Sequence, residues 1–169
     1  GHRFNGGPLD VVNCLNGEVE LAGRGWELRQ PRREHYRTTQ IPISFDASAT
    51  APRFEAFLGE VFRDDEDRDQ KIKATLELMG YALMSHARHE QFVILIGPGA
   101  NGKSVLLSVL EALRGHANVA AVQPSQFGRT FQRAHLDQKL ANIITELKQG
   151  EIIADAELKA ITSGEPSTV

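Results

Sequence analysis

The chain has 169 residues, 41% of them apolar, and a formal charge of −3 at pH 7. That is enough apolar mass for a core, it excludes bulk disorder, and it shows no basic excess of the kind that marks a general nucleic-acid binder. The longest apolar runs are far short of a membrane span, no stretch reads as a signal peptide, and the lone Cys14 excludes an internal disulfide, all as expected of a reducing, cytoplasmic setting without membrane contact.

Gly1-His2 reads as a cloning scar, so the natural start is expected upstream. Residues 1–48 read as short strands and turns. Val11-Val12-Asn13-Cys14-Leu15 runs into Asn16-Gly17 and then Glu18-Val19-Glu20-Leu21. Asn-Gly between two alternating segments predicts a β-hairpin, because both turn positions need positive φ. Gly23, Gly25 and Pro31 punctuate a further strand over Trp26 to Arg29, and Pro42 keeps Ile41-Pro42-Ile43 extended. Arg24, Arg29, Arg32, Arg33 and Arg37 gather near Trp26 and Tyr36. Interleaved cations and aromatics suit a DNA strand, while Glu27 and Glu34 among them suit internal or intersubunit pairing.

A helical region follows. Phe54, Phe57, Leu58, Val61 and Phe62 recur at helical spacing and predict one apolar face. Ile72, Leu76, Met79 and Leu83, widened by Leu78 and Ala82, predict a second. The acids from Asp64 to Asp69 complement the dipole at a helix start and lack the glycine and final glutamate of a calcium loop. His86 and His89 stand three apart near a helix end, where positive charge suits the dipole without any metal. Residues 1–90 therefore read as a small α+β domain, β-rich over 1–48 and helical over 52–88.

From Gln91 the pattern changes to strand and helix in alternation, over 91–169. Phe92-Val93-Ile94-Leu95-Ile96 predicts a short buried strand. Gly97-Pro98-Gly99-Ala100-Asn101-Gly102-Lys103-Ser104 fits the P-loop pattern G-x-x-x-x-G-K-[S/T], and Val105-Leu106-Leu107-Ser108-Val109-Leu110 opens a helix. A triphosphate needs many donors at short range. Glycines let successive N–H groups turn inward, and the helix start through Val105 adds its positive dipole end. Lys103 supplies a point charge for the β- and γ-phosphates, and Ser104 a hydroxyl for Mg2+. Val119 to Val122 predicts a second strand and Ala141 to Glu146 a third. That third strand ends in a carboxylate, Glu146, suited to a place beside the magnesium and the attacking water. Arg129, Arg133 and Lys139 lie between these strands and suit a subunit boundary or DNA alike. Ile152 to Ile161 predicts a helix with Asp155 as N-cap, ended by Gly164 and Pro166.

Gly97 to Ser104, the phrase His135 to Asn142, the acid in Thr145-Glu146-Leu147, and Leu158 to Glu165 resemble the phage and plasmid primase-helicases of helicase superfamily 3, the branch that includes the poxvirus primase-helicase. Asn13 to Leu21, Arg32 to Pro42 and Gly80-Tyr81-Ala82-Leu83 resemble the accessory domain that precedes their motor. The resemblance implies an α/β P-loop NTPase of AAA+-like fold, an ATP-driven DNA helicase that assembles as a homo-hexamer on single-stranded DNA at a replication fork, in a bacterial host cell and of prophage or plasmid origin. It implies that Lys103 and Ser104 contact phosphate and magnesium and that Glu146 activates the hydrolytic water. Many relatives carry an acidic pair at this strand end, whereas Thr145 precedes Glu146 here, so Thr145 holds magnesium weakly or through water. The family's DNA hairpin, sensor residue and arginine finger follow the segment ending near Gly164. The chain is therefore expected to be a fragment with an incomplete core, weak or inactive alone. Two other readings stay open: a P-loop small-molecule kinase, and a non-catalytic, nucleotide-switched assembly or DNA-loading module.

Overall fold

The computed structural model describes residue 4, residues 7–147 and residues 155–163. Near the N-terminus, β1 (Val11–Cys14), β2 (Gly17–Ala22) and β3 (Gly25–Arg29) form an antiparallel sheet in that order. The hairpin is present, but its turn is Leu15-Asn16 and Gly17 already pairs with Cys14, one residue earlier than Asn-Gly chemistry predicts. Two local needs override the turn preference. The Asn16 amide is engaged with Phe45, donating to its carbonyl at 2.9 Å and accepting from its N–H at 2.9 Å. Gly17 must be glycine in the strand, because a Cβ there would run into the Arg29 carbonyl.

Ile41 and Ile43, with a bend at Pro42 between them, bond along the free edge of β1: the Ile41 N–H to Asn13 O at 2.9 Å, and the Leu15 N–H to Ile43 O at 3.0 Å. Cys14, Val19 and Ile41 form the buried core of this region, and Val12, Ile43, Phe45, Leu83 and Leu140 pack against it. Leu83 and Leu140 come from far along the chain, so this core binds distant segments together.

Helix α1 (Pro52–Val61) starts with proline in its first turn and buries Leu58; α2 (Arg68–Tyr81) buries Met79. The second apolar stripe is only partly used. Leu76 is exposed, although α1 packs on α2.

The strand predicted over Phe92–Ile96 does not form. These residues carry no ladder hydrogen bonds among the described residues, and Phe92, Val93, Ile94 and Ile96 are each half exposed or more. A buried parallel strand needs a partner on each edge, and the parallel pair present, β4 (Val119–Ala120) with β5 (Ala141–Asn142), does not extend to them. Both of these strands are shorter than the apolar runs suggest, so the predicted strand ending in Glu146 stops at Asn142. The pairing continues by other means: Leu140 N–H to Asn118 O and Ile143 N–H to Ala120 O, both 2.8 Å. The Asn142 amide then bonds both backbone groups of Val122, at 2.7 and 2.8 Å, acting as one more rung.

Helix α3 (Lys103–Arg114) follows the glycine-rich loop, and a short helix α4 (Thr130–Arg133) lies between β4 and β5. The last described helix, α5 (Asp155–Ser163), begins at Asp155, which is its first residue and not its cap; Ile152 to Ala154, Gly164 and Pro166 lie outside the described residues. Leu158 and Ile161 of α5 pack with Leu136 on a second buried cluster, Ala120, Val122 and Phe127. At the C-terminal end of α3, Arg114 is buried with Nε and Nη1 unpartnered, and burial pushes its guanidinium down to about 10. The helix dipole favours the cation at that end and offsets part of the cost.

Candidate functional site

The loop 97–102 is built for close approach of its own backbone. Ala100 (φ 57°) and Gly102 (φ 85°) are both left-handed, and a Cβ on Gly97 would collide with the Asn101 amide. Gly102 also packs on α1: a Cβ there would lie 2.7 Å from Val61 and 3.1 Å from Phe57. Gly99 differs, since a Cβ at that position would meet nothing within 4 Å. No side chain caps α3, and the first intrahelical bond is the Leu106 N–H to Gly102 O at 2.9 Å. The N–H groups of Lys103, Ser104 and Val105 are therefore free of helical partners and stand at the positive end of a 12-residue helix.

The Lys103 ammonium folds back over the loop. It donates to Gly97 O at 2.9 Å, Pro98 O at 2.8 Å and Asn101 Oδ1 at 2.6 Å, which collects the loop's glycine, proline, asparagine and lysine around one charge. Ser104 and Val105 are exposed in the first turn. Residues 97–105 thus form one loop and helix start gathered around the Lys103 ammonium. Thr145 and Glu146 are not joined to them. Both are exposed, and no hydrogen bond or ion pair links Glu146 to the loop among the described residues. Its backbone carbonyl accepts from Gln123 at 3.4 Å. Thr145 lines a cleft of about 380 Å³ beside β4 that also takes in Glu111 and His116.

The arginines of the N-terminal region are largely spent on internal acids. Arg29 pairs with Glu20 at 3.2 Å and Glu27 at 2.7 Å, and Arg32 with Glu20 at 2.9 Å. Composition alone could not reveal a buried cluster here. Glu18 is 1% exposed and accepts from the His35 ring at 2.6 Å, with Arg37 Nε 3.7 Å away. The sequence signal was in the register: Glu18 sits in β2, two residues past the hairpin turn, where it meets the segment carrying His35 and Arg37. His86 and His89 leave the helix and pack on Tyr81, ring centroids 5.4 and 5.0 Å away, while His86 and Arg88 both reach Asp10, at 3.3 and 2.7 Å.

Residues 6–63 match the family described as D5 N terminal like, and residues 95–169 match a family of unknown function, DUF5906. The first match supports, at the level of the broad family, the resemblance of the N-terminal region to phage and viral primase-helicases. No curated protein matches the chain. No helix among the described residues is long and apolar enough to cross a membrane.

Proposed function

We propose that this chain carries the accessory domain and the nucleotide-binding part of the motor of an ATP-dependent DNA helicase, of the phage or plasmid primase-helicase type in superfamily 3, with an AAA+-like α/β fold. The observation that carries the reading is the first turn of α3. Three backbone N–H groups without helical partners, no side-chain cap, and a lysine held by weakly basic carbonyls converge where an anion gains most. On this reading Lys103 exchanges Gly97 O and Pro98 O for the β- and γ-phosphates, and Ser104 Oγ holds Mg2+. Gly99 leaves its outer side open to the phosphates. Glu146 orients the attacking water once the segment 143–146 is drawn towards the loop, and Thr145 touches the ion through water. A homo-hexamer working on single-stranded DNA is part of the same reading.

The test is MgATP binding by this chain together with DNA-stimulated turnover of the full-length protein. Lys103→Ala is expected to abolish both. Glu146→Gln is expected to keep binding and lose about 10²–10⁴ in turnover, as removal of a proton-accepting or water-orienting group does. Unchanged MgATP binding in Lys103→Ala sinks the proposal. Binding without DNA-stimulated turnover in the unmodified protein supports instead a nucleotide-switched assembly module, the reading that the separation of Glu146 from the loop favours.

A further inference from the structure

The helical run from Thr130 to Leu136, α4 followed directly by a tighter turn over Ala134–Leu136, holds an aromatic side chain out in solvent. Phe131 is 88% exposed. The run is not frayed around it: Phe127 before it and Leu136 at its end both belong to the cluster that Ala120 and Val122 anchor. A segment pinned on both sides while its phenylalanine faces water presents that ring in a fixed place, so little ordering is left to do on contact. His135 stands four residues on, in the tighter turn that follows, and is also exposed.

Charge says what the ring faces. Residues 129–139 contain Arg129, Arg133 and Lys139 against the single acid Asp137, in a chain whose formal charge is −3. Arg129 is exposed and makes no side-chain hydrogen bond or ion pair among the described residues, although Glu157 lies near Gly128 beside it. Arg29, Arg32 and Arg37, by contrast, are committed to Glu18, Glu20 and Glu27. An isolated exposed ring would be unremarked on any surface. One carried on a segment packed at both ends, two residues from an uncommitted guanidinium, matches a base to stack and a phosphate to neutralise, while the Lys139 ammonium is spent on Ala117 O at 2.6 Å.

We infer that Phe131, with Arg129 and His135, is a contact point for single-stranded nucleic acid. The inference needs no bound triphosphate and stands apart from the nucleotide site.

The experiment is fluorescence anisotropy of a labelled oligothymidine of about 15 nucleotides, long enough to cover a single-strand site, titrated with this chain over a salt series without nucleotide. Phe131→Ala is expected to weaken binding about tenfold, as loss of one stacked base does, with an unchanged salt slope, and Phe131→Trp to restore it. Arg129→Ala is expected to weaken binding and flatten the log–log salt slope by about 0.7, the release expected for one single-strand phosphate. Thermal melting of each variant separates lost contact from lost fold. Lys103→Ala is expected to bind the oligonucleotide as the unmodified chain does, so a failed nucleotide site leaves this result readable. Oligouridine competition tells RNA from DNA as the source of the strand. Absence of binding by the unmodified chain, or equal binding by it, Phe131→Ala and Arg129→Ala, overturns the inference. A Phe131→Ala change seen only as lost self-association in sedimentation overturns it too, and makes the ring a protein contact.

Discussion

Gly99 and Gly102 stand three positions apart in one loop and are glycine for different reasons. Gly102 is left-handed and its missing Cβ is filled by Val61 and Phe57, so the fold itself demands it. Gly99 faces open space, so nothing in the packing demands it. Gly102→Ala is therefore expected to lower stability by about 1–3 kcal/mol, from φ strain and overpacking together. Gly99→Ala is expected to melt within about 0.5 kcal/mol of the unmodified chain while binding MgATP more weakly. Thermal melting beside a binding titration checks both; a Gly99→Ala chain that melts early would assign that glycine to the fold. The pattern of the loop was fully legible in the sequence, because the spacing of its glycines and lysine is local. Which glycine serves packing was not legible, since the answer lies in α1, some forty residues upstream.

At the scale of elements, apolar runs reported where strands are wanted and not how far they pair. Val119 to Val122 and Ala141 to Glu146 both read as strands, yet each contributes two residues of ladder. The rest of the join rests on the Asn142 side chain, and no periodicity rule predicts an amide standing in for backbone. Asn142→Ala is expected to cost about 1–3 kcal/mol, by leaving the Val122 N–H and carbonyl without partners. Urea unfolding measures this, and a midpoint equal to that of the unmodified chain would show the two bonds to be dispensable. Phe92 to Ile96 teaches the same lesson more sharply. A run of five apolar residues specifies burial, but burial needs neighbours, and the described residues supply none on either edge. The hairpin erred by one residue for a related reason: Asn16 had a better use for its amide at Phe45 than in an Asn-Gly turn.

The whole molecule is tied together by contacts between residues far apart in sequence, which single-chain patterning does not reveal. Asp10 receives Arg88 at 2.7 Å and His86 at 3.3 Å, across nearly eighty positions. Partial burial alone would raise the Asp10 pKa, but the hydrogen bonds and charges of Arg88 and His86 outweigh it and hold the carboxyl below its ordinary 3.8. A depressed folded value means that the contact stabilises above pH 4 and that the gain is lost as pH falls through the folded value. Asp10→Asn is thus expected to be less stable than the unmodified chain at pH 7, by under about 1 kcal/mol because the site is partly open to solvent. The two are expected to converge as pH falls below the folded value, which melting across the acid range tests; a gap that persists in acid would assign the effect to shape and not to charge. The helix α3 makes the broader connection. Its first end bears on Phe57 and Val61, and its last end on Pro42 through Gly115, while the Asn118 amide just beyond donates to Gln40 at 2.7 Å. Twelve residues of helix form a strut of about 18 Å. The strut is wedged between two parts of the N-terminal region, so a tilt imposed at the glycine-rich end becomes a lever stroke delivered to the segment that edges β1.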